Sequence, residues 1–565
     1  MWRRVVLGLA LTASIVAVYA PVRQHAFVEF DDPLYVRDNA VVQRGLSLDG
    51  VGWAFGSDDA FLWHPLTWLS LMADAELHGS SRAGPYALTN VALHVANSLL
   101  LMALLTSLTG RLGPSVLAAA LFALHPLRVE SVAWVSGRKD GLSGLFALSA
   151  LWAYVAWARV GGRGRYLTAL SLYAAALLAK PTHLSLPLLL LLLDAWPLGR
   201  LRPALAAGRQ AVSRLLIEKL PWLAIGLVAG VANVVMIGRV LNPWVEDLPF
   251  SQRLAAAPLH LLFYLEKTLW PVDLAIVYPG PHQQGLPFYG AAELAAGWAL
   301  LVALTVGLAW LGRRRPYLAW GWLWFLIALA PALQLLPTGL RVPHDRYTWL
   351  ASIGPFVALS FGGAALWTHA RSLRPLLAGG AAALLAACAF LSAQQVAHWR
   401  DSRALFDHSL AVTDRNAIVL FSRGIARARA GEVDAAIADL RTALAIHPRH
   451  PDSHNSLGYL LASRGEYDEA IVHLRQALAA QPSYALAMSN LGNALDASGQ
   501  GDEALVWLRR AAERTPDSSD THYWLGVALE RRGLAEAADH YRRALEIDPD
   551  HRWSRQALAR LGAAG

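Results

Sequence analysis

The first 396 residues of this 565-residue chain are a succession of apolar runs. Eleven stand out, over roughly 5–20, 87–108, 114–127, 141–158, 166–179, 184–198, 221–239, 290–311, 317–336, 347–367 and 376–395. A run of about 20 apolar residues is long enough to cross a bilayer as a helix. Lipid offers no water to the peptide groups, so each segment must satisfy its own backbone, which a helix does. The composition agrees: 55% of the residues are hydrophobic and 16% are charged, against about a quarter charged in soluble domains. Many of the 22 tryptophans fall near run ends, where their rings suit the headgroup level. The net charge of +8 is gathered in short clusters between runs, which reads as topology signal and anionic-lipid attraction rather than nucleic-acid binding. The single cysteine, Cys388, excludes an intramolecular disulfide and a cysteine zinc site, and reads as inert packing.

The basic clusters also orient the chain. Arg3 and Arg4 precede the first run. Counting alternately from a cytoplasmic N-terminus, Arg111, then Arg159, Arg163 and Arg165, then Arg200 to Lys219, then Arg313 to Arg315, and then Arg371 and Arg374 all fall on one side. That agreement supports eleven spans and an outward C-terminus. The first run also fits a signal peptide ending in Val18 and Ala20. The apolar spans that follow favour an uncleaved anchor.

Near residue 396 the pattern changes. Gly424, Gly458, Gly492 and Gly526 recur every 34 residues, as do Gly431 and Gly465 up to Gly499. Pro448, Pro482, Pro516 and Pro549 close the units, with Ala436, Ala470 and Ala504 between. This is the tetratricopeptide pattern of paired helices with small residues at their contact. The expected organisation is a membrane domain over 1–396 and a repeat domain over 397–565. The fold class is all-α: a polytopic helical membrane domain followed by an α-solenoid. First helices of the repeats carry Asn455, Tyr459, Asn490 and Asn493. These four are candidates for a concave peptide-binding face, beside the plainer reading of a solvated polar surface.

On this topology the outward loops hold charges that the positive-inside pattern disfavours. The first carries Asp31, Asp32, Arg37 and Asp38, with a tryptophan-rich stretch around Trp63 and Trp68 that suits an interfacial helix. The second is "HPLRVESVAWVSGRKDG", with His125, Arg128, Glu130, Arg138, Lys139 and Asp140. The third carries Lys180 and His183; the fourth, Glu266 and Lys267; the fifth, Arg341, His344, Asp345 and Arg346. Ionisable groups at membrane depth are expensive and tend to be functional. Cations beside a carboxylate suit the departure of a lipid phosphate, with the carboxylate taking a proton from an incoming hydroxyl. Plainer readings stand beside this one. Adjacent acids before proline are common in turns and caps. Arg138 and Asp140 suit a helix cap or a mutual pair, and His125-Pro126 suits a span end. Pro33 should hold Asp32 extended, pointing the two carboxylates apart.

The blocks "FDDPLYVRDN", "HPLTWLS", "NVALHVANSLLL", "LFALHPLRVESVAWVSGRKDGLS", "LLAKPTHLSLPLLLLLLDAWPL" and "DRYTWLASIGPF" together resemble bacterial relatives of the transmembrane-and-tetratricopeptide O-mannosyltransferases, within the GT-C superfamily of membrane glycosyltransferases. The resemblance runs along nearly the whole chain, in order. It implies about eleven spans, a polyprenyl- or dolichyl-phosphate sugar donor and inversion at the sugar carbon. Asp31 would be the base, with Asp32 second, and Glu130 would bind sugar hydroxyls or orient a cation. His125, Arg128, Arg138, Lys139, Lys180, His344 and Arg346 would form the donor-phosphate region, with Arg138, Lys180 and Arg346 on the phosphate itself. Gly137 stands where many bacterial relatives have an acidic residue.

The implied function is transfer of a sugar, mannose being one candidate, to an extracytoplasmic acceptor, namely Ser or Thr of a protein recruited by the repeats. No metal, cofactor or nucleic acid is expected: no metal-spaced ligand cluster, G-x-x-x-x-G-K-[ST] loop or G-x-S-x-G element is present. The expected location is a bacterial inner membrane with the active face and repeats outside. Two other readings are a lipid or envelope-glycan acceptor, and a membrane-anchored scaffold without catalysis. A transporter fits less well, because the charges gather at one edge rather than at the bilayer midplane.

Overall fold

A computed structural model describes residues 2–57, 62–237, 249–281, 284–333, 335 and 343–564. Every regular element among these residues is helical. The chain divides into two compact units, residues 1–278 with 287–413, and residues 279–286 with 414–565.

In the first unit, seven helices are long and apolar enough to cross a membrane: Trp2–Gln24, Ala83–Thr109, Val135–Val160, Arg209–Met236, Ala291–Gly312, Pro316–Leu333 and Arg371–His398. This is an integral membrane protein. Two more crossings arise if each bent pair is one span: Leu112–Leu124 with Pro126–Ala133, bent by 59°, and Asp345–Ala351 with Ile353–His369, bent by 53°. By length and composition, seven to nine segments among the described residues thus pass as crossings, beside the eleven expected from the runs. The two remaining runs are 166–179, in the 17-residue helix Arg163–Ala179, and 184–198, in the shorter apolar helix His183–Ala195. Both nevertheless run alongside Val135–Val160 from one end to the other: Lys180 pairs with Asp140 and His183 lies 3.2 Å from Ser143 Oγ near its start, while Asp194 accepts from Tyr154 near its far end.

The bends lie in the charged motifs. "HPLRVESVAWVSGRKD" is not a surface loop; every residue from Leu121 to Asp140 is buried. His125 and Trp134 take extended backbone angles and break the segment into short helical pieces. In the stretch expected to lie flat at the interface, Trp68 is fully buried, Trp63 half-buried and Leu77 exposed. Within Pro65–His78, Trp68, Leu71 and Met72 form a core with Tyr35, Val36, Val42, Ala54 and Tyr86. Trp68 stacks on Tyr35 at 4.9 Å between centroids and meets Trp53 edge-on at 5.0 Å. Aromatic burial outweighs interfacial placement here.

Small residues set the closest helix approach. Pro316–Leu329 and Ile353–His369 pack against each other where Gly321 faces Gly354. A Cβ on Gly354 would lie 2.1 Å from the Gly321 carbonyl oxygen. Without a hydrophobic drive between helices in lipid, such backbone proximity supplies the contact.

The second unit is a helical-hairpin solenoid. Helix pairs run Ala417–Arg429 with Val433–Ile446, Pro451–Ser463 with Tyr467–Ala480, Ala485–Ala497 with Gly501–Arg514, and Ser519–Glu530 with Ala537–Ile547, followed by Arg552–Ala564. The recurring Gly431, Gly465, Gly499 and Gly533 have φ of +81°, +81°, +85° and +68°, the left-handed turn that ends each first helix. Ala436, Ala470 and Ala504 are fully buried, as are Leu440, Leu474 and Leu508.

Gly354→Ala should lower the thermal midpoint of the detergent-solubilised protein, by the equivalent of about 1–3 kcal/mol of overpacking. Gly363→Ala, on the same helix with no heavy atom near its added Cβ, should leave the midpoint unchanged or raised.

Candidate active site

The helix Arg138–Val160 begins with three consecutive charged residues whose side chains go to three different places. Arg138, fully buried, donates from Nε to Asn90 Oδ1 at 2.6 Å. It also donates to Ser70 Oγ at 2.7 Å, to the Tyr86 carbonyl at 2.9 Å and to the Asp74 carboxylate. Each of its three nitrogens is thus bonded within the protein. The sequence placed Arg138 on the phosphate or paired with Asp140. It is not paired with Asp140; it joins the helices that carry Ser70, Asp74 and Asn90.

Lys139 turns toward the acidic pair. Its Nζ lies 3.2 Å from Asp31 Oδ2 and 3.1 Å from the Tyr35 hydroxyl. The ammonium stands over the Tyr35 ring at 4.3 Å and the Trp134 ring at 5.2 Å, so an aromatic floor supports a buried cation. Asp140 turns the other way and pairs with Lys180, both buried. Its second oxygen, Oδ2, has no hydrogen-bond partner among the described residues.

The two adjacent acids differ sharply. The Asp32 side chain is buried and accepts three hydrogen bonds: from Val28 N–H at 2.9 Å, from Ser136 N–H at 3.0 Å and from Ser136 Oγ at 2.6 Å. It ties the first loop to the Trp134–Gly137 turn. Asp31 leaves 30% of its side chain exposed, opposite Lys139. The carboxylates point apart, although not through an extended Asp32. Asp32 has φ −59° and ψ −33° and directly precedes the short Pro33–Arg37 helical turn, with no capping bond from its side chain. The three hydrogen bonds outweigh the usual preference of a residue before proline.

A second cation completes the cluster. Arg346 donates its backbone N–H to Glu130 Oε2 at 2.8 Å and its guanidinium to the same carboxylate. It lies over Trp134 at 5.4 Å, the ring that also lies under Lys139. His344 Nδ1 is 2.7 Å from the Ile276 carbonyl and 3.1 Å from Arg346. Burial and the neighbouring Arg346 hold His344 well below the usual imidazole range, so it is neutral. Burial also lowers Lys180, with Asp140 opposing. Asp31, Lys139, Arg346, Glu130, Lys180 and Asp140 thus form one group of alternating charges around Tyr35, Trp134 and Tyr347.

Two other candidates, His125 and Arg128, are buried, and Arg128 Nε and Nη1 have no hydrogen-bond partner among the described residues. His125 accepts from Leu127 N–H through Nδ1, lies 3.1 Å from the Thr268 carbonyl through Nε2, and packs on Phe356. Arg128, fully buried, donates to Thr348 Oγ1 at 2.7 Å and lies over Phe122. Arg341 falls outside the described residues. In the repeats, Asn490 Nδ2 donates to Asn455 Oδ1 at 2.9 Å and joins adjacent units. Asn493 is half-buried, and Tyr459 is exposed.

Sequence reading missed Tyr35, Ser136, Trp134, Asp74 and Asn90. The signal for Asn90 was present: Asn90, His94 and Asn97 recur at helical spacing in an apolar helix, and all are buried. Asn90 donates to the Trp134 carbonyl at 2.7 Å and Asn97 to the Gly141 carbonyl at 2.8 Å. Polar side chains inside a lipid-crossing helix mark such contacts.

Family models described as tetratricopeptide repeat match residues 389–451, 421–485 and 461–529. The human protein O-mannosyl-transferase TMTC4 is 26% identical over 420 residues, covering 66% of this chain and 56% of that protein. The mouse protein of the same name is 26% identical over 429 residues, 66% of this chain and 57% of its own. Protein O-mannosyl-transferase Tmtc1 of Drosophila melanogaster is 39% identical over 141 residues, 24% of this chain and 16% of its own. The chain is distantly homologous to these transferases. It spans just over half the length of the two TMTC4 proteins. Among solved structures, the crystal structure of YrrB, a TPR protein with an unusual peptide-binding site, is 24% identical with a TM-score of 0.25, covering 28% of this chain and 81% of that one. A crystal structure of MamA has the same identity and TM-score over 26% of this chain and 87% of its own.

Two outcomes test the geometry. Arg138→Leu strands Asp74 in a buried site, at a cost of about 3–5 kcal/mol. Thermal unfolding in detergent should show a large loss, with Arg138→Lys recovering only part of it. Burial lifts Asp32 to about 6, against its hydrogen bonds from Ser136 and Val28. The native state then holds this proton more tightly than the unfolded chain, whose aspartates titrate at about 3.9. Stability from this group is full below about pH 4 and is lost as pH rises through about 6. The wild-type advantage in thermal midpoint over Asp32→Asn should therefore shrink from pH 4 to pH 7; a constant gap would contradict the assignment.

Proposed function

We propose that this protein is an inverting membrane glycosyltransferase that moves a sugar from a polyprenyl-phosphate carrier to a hydroxyl of an extracytoplasmic acceptor, Ser or Thr of a protein held by the repeats. The observation that carries the reading is Asp31: of two adjacent acids, it is the accessible one, and it stands opposite Lys139 in a group that also holds Arg346 and Lys180. Distant homology to protein O-mannosyl-transferases supports the reaction class.

The chemistry balances with this chain's residues. The acceptor oxygen attacks the anomeric carbon, and its proton passes to the Asp31 carboxylate. The bond from that carbon to the phosphate oxygen breaks, and polyprenyl phosphate leaves with the electron pair. Lys139, Lys180 and Arg346 stabilise the charge growing on the phosphate, which is where fixed cations lower a barrier most. Glu130 and Asp140 hold two of those cations in place before the carrier binds. Arg138 acts as the positioning residue that fixes the start of the helix bearing Lys139. The active face and the repeats lie outside the cytoplasm, as the distribution of arginines suggests.

Asp31→Asn should keep its membrane insertion and thermal midpoint and lose transfer by about 10²–10⁴-fold, the range of general-base catalysis. Peptide mass spectrometry of extracytoplasmic proteins checks this: a hexose-sized adduct on Ser or Thr, present with wild type and absent with Asp31→Asn, is the expected result. Equal adducts in both would remove Asp31 from the reaction. Loss of a glycolipid rather than a protein adduct would move the acceptor to lipid. Protease added outside intact spheroplasts should release the repeats; cleavage only after lysis would reverse the orientation.

A further inference from the structure

The loop carrying Asp31 contains a helix whose apolar residues face two ways. In Leu48–Gly56, Gly50 and Ala54 are buried, and Trp53 packs on Trp68. On the other side, Leu48 is 91% exposed, Val51 37% and Phe55 43%. These three stand at i, i+3 and i+7, one stripe of a helix. Leu34 and Leu46 of the same loop are exposed as well.

The position of the stripe says what covers it. The Phe55 carbonyl accepts from Trp63 Nε1–H at 3.0 Å, and the Trp63 backbone N–H donates to Asn233 Oδ1 at 3.3 Å. Asn233 lies in the last turn of the described Arg209–Met236 helix, one of the seven membrane-crossing candidates. Around it, Val231, Val234 and Val235 are exposed, as a lipid-facing helix end should be. The loop is also held to membrane helices at both ends. It joins Trp2–Gln24 to Ala83–Thr109, and the backbones at Arg23 and Gly84 touch so closely that a Cβ on Gly84 would lie 2.1 Å from the Arg23 carbonyl oxygen.

We propose that the Leu48–Gly56 helix is an interfacial anchor whose stripe of Leu48, Val51 and Phe55 inserts into the lipid of the membrane that its neighbours cross. Helices of this kind bury their apolar face about 5–10 Å into the headgroup and acyl boundary. The anchor holds the Asp31 loop against the lipid surface. The interfacial role expected of the stretch around Trp63 and Trp68 falls to the preceding helix, because the fold buries Trp68. This inference stands without the catalytic reading.

The test uses the full-length chain. With Cys388→Ala, single cysteines at Leu48→Cys, Val51→Cys and Phe55→Cys are labelled with an environment-sensitive fluorophore. The exposed polar positions Arg44→Cys and Asp49→Cys serve as controls. The protein is reconstituted in vesicles of phosphatidylcholine and phosphatidylglycerol. Expected are blue-shifted emission at the three stripe positions, quenching by nitroxide-labelled lipid at least about two-fold stronger than at the controls, and protection from aqueous iodide. Iodide quenching equal to that of Asp49→Cys would overturn the proposal. Protection from both quenchers would also overturn it, because a protein surface or a second copy would then cover the stripe. Leu48 is so exposed that its replacement should not disturb folding, so that position decides the matter if Phe55→Cys fails to accumulate.

Discussion

The membrane unit turns on a buried guanidinium. Arg138 stands where a charge is costly unless it is fully paired, and it meets that condition with Asp74, Asn90, Ser70 and the Tyr86 carbonyl. Those partners come from the Pro65–His78 and Ala83–Thr109 helices, so the one side chain joins the first loop, the second long helix and the start of its own helix. With that start fixed, helix geometry decides the next two residues. Lys139 must turn toward Asp31 and Asp140 toward Lys180. Rotating the helix by one residue would undo both pairs together.

The acidic pair divides in the same way. Asp32 is held by three donors and joins the Asp31 turn to the Trp134–Gly137 turn. Because Asp32 is fixed, its neighbour is presented toward the open side with a cation opposite. Trp134 links the two halves of the cluster, its ring lying near both Lys139 and Arg346. Gly137 belongs to this close packing: a Cβ there would lie 2.8 Å from the Ser131 carbonyl oxygen. An acidic side chain at 137 would require the turn to move.

Much of this was legible in the sequence for simple reasons. A 34-residue period fixes paired helices because each unit must bury its small residues against the next, and the repeat helices fall where the period puts them. Apolar runs mark lipid-crossing helices because lipid cannot hydrate a peptide group. The charged motifs marked the region where buried charges gather because charge at that depth is expensive and must find partners. The count of crossings was less legible. An apolar run shows that a segment is buried, and does not show whether it is long enough or straight enough to cross. His125 and Ser352 stand at bends in segments that read as unbroken runs or loops, and Arg163–Ala179 crosses beside Val135–Val160 with only 17 residues.

By itself the sequence determined that the chain is helical, that its first part lies in lipid and its last part is a solenoid, and that one region gathers charge in an apolar setting. These follow from local periodicity and composition. Only the tertiary structure decided which charges are partners. Arg138 and Asp140 are close in sequence yet pair with Asp74 and Lys180, far away in the chain. Asp31 and Asp32 are chemically identical, and packing alone leaves one accessible and buries the other. Trp68 and Leu48 are both apolar residues of one loop, and the core had room for the first. A side chain's partner depends on what the other helices bring to it, which is a property of the whole fold and not of any stretch of sequence.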